Sequence, residues 1–174
     1  MTMDQPVGPD DVPLRKGSDD LYVRIGEVIT WAADLDLAML MLYIELAKSA
    51  NVRDPLRQAQ GDGASQLRGH LQAVIKLPPH LGTQVASRVA AMLSTSEMVA
   101  EARNHIAHGV WFSYQELDVA VRLRRSGEHE RMSFTANELM NLAINIKRVE
   151  LECVATFYEL TGVAPPSPAR RHPG

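Results

Sequence analysis

Arg103, Asn104 and His108 lie in a helical stretch, 97–111, that also holds Glu97, Glu101 and His105. An imidazole takes or returns a proton near neutral pH, and a guanidinium fork matches phosphate oxygens without losing its charge. A carboxamide can orient either group or hold an oxygen itself. Acid–base chemistry at a phosphate is therefore within reach of these residue types.

The elements that must position them follow from the apolar spacing. Val85, Val89, Met92, Val99 and Ile106 form a seam with steps of three and four, and its two vacant positions are taken by Ser96 and Arg103. A guanidinium at a seam position is costly to bury alone, so Arg103 needs a partner or a ligand. Glu97, Glu101, Asn104 and His108 share another sector of the helix, at steps of four, three and four. Gly109 reads as the helix stop, which leaves His108 at the carbonyl end of the helix dipole and free to swing if the last turn unwinds.

The run Arg103-Asn104-x-x-x-His108 resembles the motif of the HEPN superfamily, an arginine often followed by a polar residue and, after four to six intervening positions, a histidine. The helical surroundings extend that resemblance to about two thirds of the chain. It implies a dimeric, metal-independent endoribonuclease of the toxin or phage-defence kind, with RNA as substrate, a composite active site shared by two subunits, and an antitoxin protein as neutralising partner. It equally allows a relative that keeps the fold as a catalytically silent dimeric binding module. Arg103 and His108 would be the working pair and Asn104 their support, with no cofactor and no metal.

RNA is cut without metal when a base takes the 2′-hydroxyl proton, a cation steadies the phosphate charge and an acid protonates the leaving 5′-oxygen. The products are a 2′,3′-cyclic phosphate and a 5′-hydroxyl. One chain alone meets a geometric difficulty, because helix positions five apart point about 140° away from each other. Pairing the motifs of two subunits removes it.

Other residues are candidates for RNA contact. His105 is either a second imidazole at the site or, as its place near the helix end favours, a structural hydrogen-bonding residue. Trp111 could stack on a base or pack at the start of a strand. Arg122 and Arg124 fall on the polar side of an alternating segment, expected as the outer face of a sheet, where they would either contact phosphate or guard an edge. A metal site built from Glu97, Glu101, His105 and His108 lacks the usual ligand spacing and any second helix with inward ligands. A helix-turn-helix DNA reader lacks a basic recognition helix.

The rest of the chain reads as scaffold. A net charge of −3 excludes coating of nucleic acid by bulk positive charge and requires local recognition. A hydrophobic share of 45% over 174 residues suffices for one core without disulfides. The single Cys153 sits on an apolar seam and reads as a buried thiol in a reducing compartment. With no signal-peptide core in residues 1–16 and no long uncharged apolar run, the expectation is a cytoplasmic protein that does not enter a membrane.

Proline-rich ends predict flexible tails at 1–18 and 163–174 around a helical domain at 19–162. A seam from Ile25 through Val28, Ala32, Leu35, Met39 and Leu42 to Leu46 predicts one long helix. Leu37, Leu40, Met41 and Ile44 add a second stripe, as a central or dimer-forming helix requires. A loop over Asn51–Gly63 and a second helix to about Leu77, with His70 as a structural residue, come next. A third helix, from near Leu81 or Gly82 to Gly109, follows. Alternation over about 110–134 predicts a hairpin or meander, and Thr135-x-x-Glu138 is a capping box that opens the last helix, ended by Gly162. The expected fold is mainly α, a four-helix bundle with a small antiparallel β insertion before the last helix.

Overall fold

Four long helices and one short one carry the chain in a computed structural model that describes residues 19–164 apart from 78–81, 115–116 and 124–126. In chain order they are α1 (Asp19–Ser49), α2 (Pro55–Ala59), α3 (Ala64–Val74), α4 (Thr83–His108), strands β1 (Val110–Tyr114), β2 (Leu117–Leu123) and β3 (His129–Phe134), then α5 (Ala136–Thr161). The expected flexible tail at 1–18, Arg124 and most of the tail at 163–174 lie outside the described residues.

The bundle is built on the pairing of α1 with α5, the most extensive between any two elements, with α3 and α4 closing the other sides. The α1 seam does what its spacing asks: Val28, Leu35, Met39, Leu42 and Leu46 are buried, each at 4% exposure or less. Opposite them lie Leu71 of α3, Val89 and Met92 of α4, and Leu139, Ile146, Val149 and Cys153 of α5. Burying a side chain of this size contributes roughly 1.5–3 kcal/mol. Such a core needs no covalent staple.

The region expected as a plain loop contains α2. Asp54 accepts a hydrogen bond from the Arg57 N–H at 3.4 Å, and Pro55 supplies a preset first helical residue. This turn is tied inward through Tyr43, which is buried and donates to Gln58 Oε1 at 3.1 Å. His70 stacks on the Tyr43 ring with centroids 5.3 Å apart, and its Nε2 lies 2.7 Å from Asp62 Oδ2. His70 is thus structural, as expected.

Cys153 is buried with its Sγ 3.6 Å from Met92 Sδ, and removal from water pushes its thiol up to about 12. A thiolate is the reactive form. The folded protein should therefore leave a disulfide reagent unconsumed at pH 8 and react with it only on denaturation, as thiol titration would show.

α5 begins on the expected capping box. The Thr135 Oγ1 accepts from the Glu138 N–H at 3.2 Å, and the Glu138 carboxylate accepts from the Thr135 N–H at 2.7 Å. The Thr135 N–H, and the Thr135 Oγ1–H that donates to the same carboxylate at 2.9 Å, hold the Glu138 carboxyl below its usual 4.5. The stabilisation is present above the ordinary carboxylate range and is lost as pH falls through the lowered value. Thr135→Ala is expected to cost about 1 kcal/mol at pH 7. In thermal melts the gap between the two proteins should narrow as the pH is lowered below 4.5. At the other end Gly162 takes φ +65°, a left-handed conformation suited to glycine, and stops the helix.

The insertion is a three-stranded antiparallel meander in the order β1-β2-β3. Its alternation is as expected but its sense is inverted. Ala120 is fully buried, and Trp111 and Met132 lie directly opposite it on the same face, both half-buried. In β3 the buried Phe134 and half-buried Met132 and Glu130 alternate with exposed Ser133, Arg131 and His129. The face expected to be outer is therefore the packed one, because a small Ala120 lets β2 approach the end of α4 closely. By register Arg122 stands opposite Glu130 in the β2–β3 ladder.

Candidate active site

α4 delivers the cluster on its expected seam: Val89, Met92, Ser96, Val99 and Ile106 are buried, Val85 is half-buried at the start, and Arg103 is half-buried between the last two. The partner that Arg103 needs is Asp36 on α1. Arg103 Nη2 lies 2.8 Å from Asp36 Oδ2, and Nη1 donates to Asn104 Oδ1 at 3.4 Å. The two side chains of the ion pair keep 29% and 33% of their surface exposed, so the guanidinium is held from behind while still open to solvent. Neither Asp36 nor Arg68 was expected from the sequence; the signal for Asp36 was a carboxylate set between Leu35 and Leu37 in a mostly apolar run.

Arg68 of α3 also faces Asp36. Burial pushes the Asp36 carboxyl up from its ordinary 3.8, opposed by the charges of Arg103 and then Arg68. Asp36, Arg68, Ser96 and Arg103 rim a cavity of about 20 Å³ above Met39 and Ile146. That is room for one water molecule.

The neighbours of Arg103 diverge. His105 is 1% exposed: its Nδ1–H donates to the Glu101 carbonyl at 3.2 Å, and Nε2 lies 3.1 Å from Glu130 Oε2, out of line for a hydrogen bond. Both ring nitrogens thus face oxygen atoms inside the fold. An RNA-contacting role for His105 is corrected to a structural one, a clasp between α4 and β3. Glu101 serves it through its backbone, and its side chain stays exposed. Trp111 is likewise a packing residue, since its Nε1–H donates to the Ile106 carbonyl at 3.1 Å and its ring leans on Phe134 at 5.8 Å.

His108 is exposed at the last position of α4. No hydrogen bond or ion pair joins it to Arg103. Gly109, the expected helix stop, is in ordinary extended backbone at φ −81° and ψ 147°. A Cβ there would meet the His105 carbonyl oxygen at 2.5 Å and the Ala120 Cβ at 2.9 Å, so glycine is required by space. The structure brings Arg103 and Asn104 together with Asp36, and leaves His108 facing outward on its own. Among the described residues no three His, Cys, Asp or Glu side chains converge as a ligand set. The Arg122 side chain and Arg124 lie outside the described residues.

Comparison of the chain with models of protein families, with curated proteins and with solved structures gives no match in any of the three.

Proposed function

We propose that this protein is a metal-independent endoribonuclease of HEPN type, acting as a homodimer in which Arg103 of one subunit and His108 of the other share a cleft. The observation that carries this reading is the state of Arg103: a seam arginine gripped at 2.8 Å by Asp36 yet left partly open to solvent. A carboxylate behind a guanidinium fixes the fork so that its remaining N–H groups can meet phosphate oxygens in one orientation. Asn104 holds a second guanidinium nitrogen. The exposed imidazole of His108 supplies the proton transfer.

The divergence of Arg103 and His108 within one chain makes the second subunit part of the mechanism. α1 offers the surface for it, because Leu37, directly after Asp36, is 58% exposed, and Ile29 and Met41 are exposed on the same helix. An apolar contact there would set a partner beside the Arg103–Asp36 pair. On α5, Ile144 and Leu151 are more than half exposed. A toxin or phage-defence role, with a neutralising antitoxin protein, fits a small nuclease of this kind. A lone buried thiol suits a cytoplasmic setting, and among the described residues no helix is long and apolar enough to cross a membrane.

A second reading is favoured by the same ion pair. Arg103, Asp36 and Asn104 also satisfy one another as a structural network, as they would in a catalytically silent dimeric binding module. The two readings separate on activity. Purified protein is incubated in EDTA with 5′-labelled structured RNA, beside His108→Ala of unchanged dimer mass. Chelator-resistant cutting that leaves a 2′,3′-cyclic phosphate and is abolished by His108→Ala is expected. A folded wild-type dimer that cuts none of several RNAs would establish the silent module instead.

A further inference from the structure

The groove between α3 and α4 is not used by the cluster just described, and it opens beside it. It encloses about 440 Å³, within the roughly 300–1,000 Å³ of small-ligand sites. One wall carries Arg68 and Gln72 of α3 with Lys76 just past its end; the α4 wall carries Leu93, Ser94 and Glu97. Arg68 lines both this groove and the small cavity under Arg103, so the two spaces meet at one guanidinium. On α4 the step from Glu97 continues through Glu101 and Asn104 to His108, so the groove wall and the exposed imidazole belong to one stripe of the helix.

Two further details favour an elongated anionic occupant. Arg68 on α3 and Lys76, two residues past its last residue Val74, both line the groove and offer it cations at two separate points. Two separated cations suit the phosphates of a strand better than one small anion. Gly69 lies between them inside α3 and lines the groove, and no atom lies within 4 Å of where its Cβ would sit. A glycine inside a helix costs about 0.5–1 kcal/mol relative to alanine, and packing gives no reason for it here. An open groove floor does.

The geometry points to the α3–α4 groove as the binding track for single-stranded RNA flanking the scissile step, with Arg68 and Lys76 on its phosphates and Gln72 and Ser94 hydrogen-bonding sugar or base. This rests on RNA being the substrate. Arg68 is thereby a positioning residue: it shares Asp36 with Arg103 and leads the strand from the groove to the cleft. Glu97 on the opposite wall keeps the track from being a uniform cationic surface and repels a strand that strays from the α3 side.

The test is binding of a short fluorescein-labelled single-stranded RNA in EDTA, read by anisotropy against salt, with cleavage measured in parallel in the His108-intact protein. In the uncleaving His108→Ala background, Arg68→Gln and Lys76→Gln are each expected to weaken binding about five- to tenfold and to lower the salt slope by about 0.7, the value for one phosphate contact on a single strand. Gly69→Leu fills the groove from an open position, and should weaken binding with an undiminished Tm. Groove variants that bind and cleave like their parents overturn the track while the nuclease stands. Groove-dependent binding without cleavage by the intact protein keeps the track and removes the nuclease. RNA that fails to bind at all overturns both.

Discussion

Arg103→Ala is expected to lower the rate of RNA cleavage by about 10²–10³, the loss seen when one preorganised donor is taken from a developing oxyanion. Arg103→Lys should recover little of it, because an ammonium cannot reproduce a fork gripped by Asp36 on one edge. Asp36→Asn keeps the cation but loosens its orientation, and a fall of about tenfold to a hundredfold is expected. The thermal stabilities decide what these losses mean. Burial is the larger influence on Asp36 and raises its carboxyl despite two arginines, so the site on balance disfavours the charge it holds. The sign follows: with the folded value raised, the favourable contribution is complete below the ordinary carboxylate range and disappears as pH rises through the raised value. At pH 7 the charge is carried at some expense to the fold, and Asp36→Asn should melt no lower than wild type. Lost cleavage with an undiminished Tm is the pattern of a pair kept for orientation; a lower Tm with unchanged cleavage would make it a structural network.

Gly109→Ala should be the most damaging glycine-to-alanine change among the described residues. The added carbon would stand 2.5 Å from the His105 carbonyl oxygen, which already accepts the Gly109 N–H at 2.8 Å, and 2.9 Å from Ala120 on β2. Both neighbours are anchored, one in the helix backbone and the other as a fully buried residue of β2. Overpacking of this kind costs about 1–3 kcal/mol. For a domain of this size that lowers Tm by about 3–10 °C. The shift of β1 needed to relieve it would also move His108, so cleavage should fall with stability. The double variant Gly109→Ala with Ala120→Gly should recover only part of the loss, since the second change removes the facing Cβ and leaves the contact with the His105 carbonyl. A wild-type Tm for Gly109→Ala alone would show that the approach of β2 to α4 is looser than described.

The helical seams were legible because a period of three and four survives any tertiary context, and the unmet demand of Arg103 could be read off the same period. Its partner could not. Asp36 lies 67 residues upstream on another helix, and only the packing of α1 on α4 brings the two together. The role of His105 was hidden for a similar reason: Glu130 belongs to a strand 25 residues later, and which face of that strand packs inward is not fixed by alternation alone. Ala120 settles the face because it is small, a cue easily mistaken for indifference next to Val119 and Val121. The short α2 did leave a signal in Asp54-Pro55, but five residues are too few for a periodic pattern to develop.

Three successive residues of α4 have different surroundings: Arg103 is held by α1, Asn104 bridges to the same guanidinium, and His105 is clasped by β3. The length of the helix between Ser96 and Gly109 is thereby counted to the residue. Inserting one amino acid ahead of Arg103 would turn everything beyond it by about 100° relative to the buried seam, parting Arg103 from Asp36 and carrying His105 out of the sheet. Insertion of a whole turn would leave a smaller rotation but push the cluster about 5–6 Å along the axis, past both partners. Length changes within this helix should accordingly be rejected where substitutions on its exposed face are accepted, and variation in chain length would have to accumulate in other segments.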